Sequence, residues 1–402
     1  MRRTNTFDLN PGKEEEAILR RWADNCARMY NEINYKRRQS FFNGEFDWNT
    51  DEAYHKYKKS VGSATAQQII RKNNEAWKSF FALLRAYEAG KIEDKPHPPG
   101  YWKDRTTGKR ILRIFLRNDS YSVGRKYLRL PFGLKIRWRG RNRWSGKPGR
   151  LEIVYDTLSG RWICYMPVEV EQPLHQPMGD KIAYIDLGVV NLMTYWIEGK
   201  ERAEIYSGRC ILSDWWYWTG KIAQHQSELK KTGKHSSERL RRMYRKRKRR
   251  FRHVVNTIIA RFVAECYECG VSVIIVGDVT HIRESERKGR KTNAMVNNFW
   301  SFGYIYERLR VTAENYGLRV MKKDERWSSK VCCLCGKKHR GGRRYRGLYV
   351  CKEKGVVLNA DVNGLANIAN PIFPRPVWDR DNWVVAHPLL HRVGVGTSAF
   401  RR

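Results

Sequence analysis

Three aspartates stand where an apolar run ends or a helix begins. Asp186 closes the run in YIDLG, Asp278 follows the run in IIVGDV, and Asp361 opens the stretch NADVNGLANIAN. Carboxylates that converge from separate elements are typical of a site that cuts phosphodiesters with two metal ions about 3.5–4 Å apart. Hard oxygen ligands suit Mg²⁺ better than zinc. Each aspartate taken singly is as well explained by a cap or a turn, so the prediction depends on all three.

A second set of candidate metal ligands lies in RWSSKVCCLCG and just beyond it. Cys332 and Cys335 have the spacing of a zinc knuckle, and Cys351 begins a second one. Lys354 stands where a fourth cysteine would complete the site, and its ammonium group cannot coordinate zinc. Two alternatives for the fourth ligand are His339 and Cys333. The sequence therefore predicts a zinc ribbon with an incomplete cysteine set, and loss of the metal remains an alternative.

Ten cations occupy the 14 residues of RLRRMYRKRKRRFR. Such a helix repels itself unless a polyanion binds it, so we interpret it as a nucleic-acid contact; a solvated face or a localisation-type patch is the alternative. Its cations should contribute affinity and salt dependence rather than sequence choice. The predicted nucleic-acid-binding residues are Arg241, Arg242, Arg245, Lys246, Arg247, Lys248, Arg249, Arg250 and Arg252.

Composition points to the same partner. The 402 residues include 79 Lys and Arg against 41 Asp and Glu, which gives a formal charge of +38. No apolar run approaches the roughly 18 residues of a membrane span, and the first residues lack an apolar signal core. We therefore expect a protein of the prokaryotic cytoplasm, associated with the nucleoid. The nine cysteines suit reduced thiols and one metal site better than a disulfide framework.

The elements that must position these residues change in kind along the chain. Helical spacing dominates 12–42 and the stretch SATAQQIIRKNNEAWKSFFALLRAYEAG. Short alternating runs over about 105–172 predict a small β-barrel, which the N-terminal TNTFDLNP would complete. From GDKIAYID onward, a hairpin, a basic helix, a buried strand, a helix and another strand predict an α/β core with a mixed sheet.

The order and wording of these motifs resemble the TnpB family, transposon-encoded RNA-guided nucleases related to the compact type V CRISPR effectors. The resemblance covers nearly the whole chain and is strongest at YIDLGVVNL, the basic helix, GDVTHIRE, RWSSKVCCLCG and NADVNGLANIAN. It implies a multidomain α/β and β protein. A RuvC-type RNase H-like core carries an inserted zinc ribbon, and a wedge β-barrel with a helical recognition insert precedes it. The implied boundaries are 1–19 and 105–175 for the wedge barrel, 20–104 for the helical recognition lobe, 176–325 and 358–370 for the nuclease domain, 326–357 for the ribbon and 371–402 for a C-terminal tail.

The chemistry that the resemblance implies is Mg²⁺-dependent cleavage of DNA matched by a bound guide RNA, beside a short flanking motif. In the commoner family pattern a glutamate follows the middle strand, where this chain has Gly277. Some relatives instead carry an acidic residue just before the ribbon, in a DER stretch like this one, so Glu325 is the expected third carboxylate. Asp278 is its rival, but one position further along a strand it would face the opposite side of the sheet. A solvated turn with a salt bridge is the remaining interpretation of DER.

The leading hypothesis is therefore an RNA-guided DNA endonuclease. Asp186 would bridge two Mg²⁺ ions, while Glu325 and Asp361 hold one each. The expected partners are a guide RNA and double-stranded target DNA, with no membrane and no required protein oligomer. Two alternatives stay open: a guided DNA-binding repressor that has lost cleavage, and a guide-independent nuclease or transposase with a similar acidic trio.

Overall fold

The structure is a computed structural model that describes residues 1–279, 293, 295, 299–325, 327–345, 347–370 and 387–394. The chain divides into two compact units, Met1–Gln172 and Pro173–Arg402. The last five residues of the GDVTHIRE motif and most of the predicted tail 371–402 lie outside the described residues. Within the described ranges, no helix combines the length and apolarity that a membrane crossing needs.

The first unit combines a helical layer with an antiparallel sheet. Its helices are α1 (Lys13–Phe42), α2 (Asp51–Val61) and α3 (Ser63–Glu88). Its strands are β1 (Arg2–Asn10), β2 (Arg113–Leu116), β3 (Ser122–Val123), β4 (Tyr127–Arg129), β5 (Lys135–Gly140), β6 (Lys147–Pro148), β7 (Leu151–Asp156) and β8 (Arg161–Glu169).

The N-terminal strand lies inside this sheet, whose order is β2-β7-β8-β1-β5-β4-β3, with β6 also paired to β8. Strict alternation along β1 places Phe7 and Leu9 in the core, while Thr6 and Asp8 face outward. In the residues of this unit, all of which are described, no ladder joins β2 to β3. The sheet is thus open in its backbone pairing, and the wedge barrel and the domain boundaries stay predictions.

The second unit has a mixed sheet of order β13-β12-β9-β10-β11-β17 and a three-stranded ribbon of order β14-β15-β16. Its strands are β9 (Lys181–Asp186), β10 (Asn191–Ile197), β11 (Glu204–Ser207), β12 (Val271–Asp278), β13 (Arg319–Asp324), β14 (Arg343–Tyr345), β15 (Leu348–Cys351), β16 (Val356–Asn359) and β17 (Leu389–Arg392). Its described helices are α4 (Arg209–Lys231), α5 (Glu238–Glu268), α6 (Phe302–Glu314) and α7 (Ala360–Ile368).

The predicted mixed α/β sheet is confirmed. Strands β9 and β10 form an antiparallel hairpin, whereas β12 runs parallel to both β9 and β13. The basic helix α5 starts at a cap in which the Ser237 side chain accepts the N–H of Leu240, and it ends before Gly270, which has a φ of +77°. Its second half buries Val255, Ile258 and Phe262 in the core of this unit.

Candidate functional site

Parallel pairing brings the carboxyl ends of β9, β12 and β13 to one edge of the sheet. The β9–β12 register, continued by one residue, puts Gly277 beside Asp186. On its other side, Gly277 pairs with Lys323 of β13, and Glu325 follows two residues later. Strand β12 lies between β9 and β13 and is called the central strand of these three. Asp186 and Glu325 therefore approach its end from opposite sides.

The missing side chain of Gly277 is what admits Glu325. A Cβ built on Gly277 would overlap Oε2 of Glu325 and would lie 2.9 Å from Cδ1 of Ile368. The carboxylate of Glu325 thus occupies the space that any larger residue at position 277 would need. Asp278, in contrast, pairs with Lys322 at 3.2 Å.

Helix α7 supplies the third carboxylate and approaches closely because of a glycine. A Cβ on Gly364 would lie 2.9 Å from Oδ2 of Asp186, so only glycine leaves that oxygen clear. Asp361, in the first turn of α7, accepts a hydrogen bond from Nδ2 of Asn191 at 2.7 Å and pairs with Nη2 of Arg343 at 3.1 Å. Sequence reasoning missed Asn191, Arg343 and Gly364. The first and the last were visible within the YIDLGVVNL and NADVNGLANIAN motifs.

The carboxylates perturb one another. Burial raises the pKa of Asp186 to about 8, with further contributions from the charges of Glu325 and Asp361, and Arg343 partly opposes the shift. Burial also raises the pKa of Glu325 to about 7, helped by the charges of Asp278 and Asp324. Negative charge therefore accumulates at this edge and favours either protons or cations.

The ribbon cysteines form a tighter cluster with a histidine. The ligand atoms of Cys332, Cys335, His339 and Cys351 all lie within 4.8 Å of one another, and no acidic trio in the described ranges is gathered as closely. Nε2 of His339 is 3.1 Å from Sγ of Cys335. Cys333, the other alternative, is not in this cluster. The donor set of three sulfurs and one imidazole nitrogen suits tetrahedral zinc.

Two asparagines of α7 attach the ribbon to the carboxylate edge. Asn363 donates to the carbonyl of Val331 at 2.8 Å and accepts the backbone N–H of Cys333 at 2.9 Å. Asn367, one turn later on the same face, donates to the carbonyls of Ser328 and Val331 at 2.7 and 2.8 Å. The helix that carries Asp361 therefore also holds the loop that follows Glu325.

The predicted nucleic-acid-binding residues of α5 differ in their surroundings. Arg250 makes a bidentate salt bridge with Asp214, in which Nη2 lies 2.7 Å from Oδ1. Arg247 donates to Oγ1 of Thr219 at 2.8 Å. These two cations support the α4–α5 packing. The exposed members of the set are Arg242, Lys246, Lys248, Arg249 and Arg252.

Comparison with known proteins matches both halves of this site. Residues 165–283 match the OrfB_IS605 family, described as "Probable transposase", and residues 302–368 match the "Cas12f1-like, TNB domain" family. The chain is 34% identical to the TnpB-like protein ORF457 of Acidianus two-tailed virus, over 91% of this chain and 86% of that protein. It is 25% identical to the CRISPR-associated endodeoxyribonuclease Cas12f1 of Sulfoacidibacillus thermotolerans, over 55% of this chain and 52% of that protein.

A solved structure shares the fold at much lower identity. The cryo-EM structure of CasPhi-2 (Cas12j) bound to crRNA matches with a TM-score of 0.50 and 9% identity, covering 95% of this chain and 99% of that one. At that identity the match supports a common fold alone.

Proposed function

Since this chain belongs to the TnpB-like protein family, we propose that it is an RNA-guided DNA endonuclease whose RuvC-type centre hydrolyses phosphodiesters with Mg²⁺. The observation that carries the proposal is that Asp186, at one edge of the mixed sheet, lies beside Gly277, where Glu325 packs, and beside Gly364 of the helix that carries Asp361. The relative from Sulfoacidibacillus thermotolerans is named as an endodeoxyribonuclease, which supports DNA as the substrate. The same relative is named as CRISPR-associated, which supports an RNA guide.

The donors at this edge fit Mg²⁺. They are carboxylate oxygens, and burial together with the charges of Glu325 and Asp361 raises the pKa of Asp186, so a bound cation would relieve the cost of ionising it. When bound, the metal would activate water and stabilise the leaving oxygen. Asp186, Glu325 and Asp361 are the residues that would hold the metal, since the charges of the other two both act on Asp186. Asn191 and Arg343 orient the carboxylate of Asp361.

Glu325 is preferred to Asp278 as the third ligand for a geometric reason. Its carboxylate fills the space beside Gly277, and its charge adds to burial in raising the pKa of Asp186, whereas Asp278 is paired with Lys322. The longer glutamate side chain thus returns from β13 to the end of the central strand.

The remaining parts supply binding and support. Cys332, Cys335, His339 and Cys351 would hold Zn²⁺ and so stiffen the ribbon. The exposed cations of α5 would bind the phosphates of the guide RNA and target strand without choosing the sequence.

The test begins with the ribonucleoprotein purified from cells that carry the native locus, whose RNA is sequenced. A plasmid matched to that RNA should be cut in Mg²⁺, and both Asp186→Ala and Glu325→Ala should lower the rate at least a hundredfold, because each removes a metal ligand. Asp278→Ala is the matched control and should cut at a nearly unchanged rate.

Other outcomes would favour the alternatives. Guided binding of the plasmid without cutting by the unmodified protein would indicate a repressor. Cutting that persists after the RNA is removed would indicate a guide-independent nuclease.

A further inference from the structure

Trp327 holds a backbone conformation that tryptophan rarely adopts. Its φ is +68°, and among the described residues only one other non-glycine residue has a positive φ. The N–H of Ser328 donates to the carbonyl of Glu325 at 3.0 Å, so Trp327 is the third residue of a tight turn, a position that glycine usually takes when φ is positive. Strain of this kind persists where the surroundings enforce it, frequently at functional sites.

The indole of Trp327 is exposed and accompanied by cations. It retains 53% of its accessible surface, so burial does not explain why a large ring stands at this turn. Nζ of Lys338 lies 3.8 Å from the ring centroid, and Nζ of Lys330 lies 4.6 Å from it. An indole that stays half exposed with two ammonium groups over its ring combines a stacking surface for an unpaired base with cations that bind the neighbouring phosphates.

The turn that carries Trp327 is firmly held. The carbonyl of Trp327 accepts the N–H groups of Lys330 at 2.8 Å and of Val331 at 3.0 Å. Asn367 of α7 anchors the carbonyl of Ser328 at 2.7 Å. Since α7 also carries Asp361 and the turn starts at Glu325, the indole is held at the margin of the carboxylate edge.

We propose that Trp327 is a stacking platform for a base of the single-stranded DNA that enters the carboxylate site, with Lys330 and Lys338 binding adjacent phosphates. The inference rests on the proposed nuclease function and names a substrate contact for it. Stacking on an open ring requires an unpaired base, and a nuclease centre of this kind receives the strand that is to be cut. Trp327 would thereby fix where the strand lies relative to Asp186 and Glu325.

The first experiment is photo-crosslinking. The full chain with Asp186→Ala, loaded with its co-purifying RNA, is irradiated with short single-stranded DNA that carries 5-iodouracil at successive positions. The expected result is a crosslink in the tryptic peptide 327–330 at one or two positions. Crosslinking of that peptide to the RNA alone would overturn the assignment to DNA.

The second experiment compares Trp327→Gly with Trp327→Phe in the same Asp186→Ala background. Glycine suits the positive φ, so Trp327→Gly should leave the melting temperature unchanged or higher, although it removes the ring. The Kd for single-stranded DNA at fixed salt should rise about tenfold in Trp327→Gly and stay within about threefold in Trp327→Phe. An unchanged Kd in a stable glycine variant would overturn the proposal.

The two proposals fail separately. If the unmodified complex does not cut DNA but the crosslink and the loss of affinity are observed, the nuclease function fails while the stacking platform stands. If Mg²⁺-dependent cutting is lost in Asp186→Ala but Trp327→Gly binds DNA as tightly as its parent, the nuclease function stands and the platform is refuted.

Discussion

Gly277 and Glu325 are complementary residues at the end of the central strand. The glutamate carboxylate lies where a side chain at position 277 would begin. The family resemblance implies a glutamate after the middle strand; here Gly277 stands at that position, and Glu325, the residue after β13, brings its carboxylate to the same place. An acidic residue at position 277 should therefore be tolerated only if the glutamate at position 325 is replaced by a small residue at the same time.

We predict that Gly277→Ala lowers the cleavage rate at least tenfold, because the added Cβ displaces the Glu325 carboxylate, and that it destabilises the protein by about 1–3 kcal/mol. The double change Gly277→Glu with Glu325→Gly should cut faster than Gly277→Glu alone, which overfills the site. Single-turnover rates and urea unfolding measure both effects. Full activity of Gly277→Ala would contradict this account of Glu325.

The raised pKa of Asp186 predicts how the metal-free protein responds to pH. The folded pKa is about 8 and the unfolded value is about 3.9. Between these values the folded state binds more protons than the unfolded state, so the contribution of Asp186 to the free energy of unfolding falls as pH rises from about 4 to about 8. With chelator at pH 8, Asp186→Asn should raise the free energy of unfolding by about 1–3 kcal/mol. Urea unfolding at pH 5 and pH 8 measures it.

Mg²⁺ should restore the free energy of unfolding that is lost at pH 8 in the unmodified chain, but it should have no such effect in Asp186→Asn. Asp278→Asn is the control for a nearby carboxylate that is already paired with Lys322. A stability slope that Asp186→Asn leaves intact between pH 5 and pH 8 would assign the effect to other groups.

At the scale of elements, the ribbon and α7 act as one support. Cys332 and Cys351 share a buried cluster with Leu365 of α7, and Asn363 and Asn367 bond the loop that follows Glu325. Metal bound by the ribbon would therefore stabilise the edge that holds the carboxylates, although the zinc ligands are not among the proposed Mg²⁺ ligands.

The prediction for this element is one zinc per chain, lost in Cys351→Ser and in His339→Ala but retained in Cys333→Ser. Loss should lower the melting temperature by several degrees, since binding of a structural metal adds to folding free energy. Elemental analysis and thermal scans provide the measurement. Retention of zinc in His339→Ala together with loss in Cys333→Ser would reverse the assignment of the fourth ligand.

At the scale of the whole molecule, charge dominates. A formal charge of +38 on 402 residues opposes compactness through self-repulsion, and local pairs such as Arg250 with Asp214 relieve little of it. A bound polyanion neutralises this charge and adds its own binding free energy. The free protein should accordingly be least stable in low salt.

We therefore expect the melting temperature of RNA-free protein to rise with salt, and to rise further when the guide RNA is added at low salt. The difference between the RNA-bound and free proteins should shrink as salt increases, because screening replaces neutralisation. Thermal scans at several salt concentrations test this. A difference that does not change with salt would show that contacts other than charge stabilise the complex.

The partner class, several secondary-structure elements and the zinc site could be predicted from local patterns in the sequence. Composition indicates a polyanion partner, alternation along β1 and the 3.6-residue period of α5 predict their elements, and an apolar run that ends in Asp186 marks a strand end. The ribbon spacing predicted a zinc site, and Cys332, Cys335 and Cys351 do lie together. Such features are readable because they depend on neighbours within a few residues.

Only the tertiary structure decided which distant groups meet. The sequence left His339 and Cys333 as equal candidates for the fourth zinc ligand, because both lie near the zinc knuckle. In the structure His339 joins the cluster of ligand atoms and Cys333 does not. The contact of Glu325 with the space beside Gly277 requires the parallel register of two strands joined by a long crossover. Asn191 reaches Asp361 across 170 positions of sequence. Register and side-chain direction depend on how whole elements pack, and no local period encodes them.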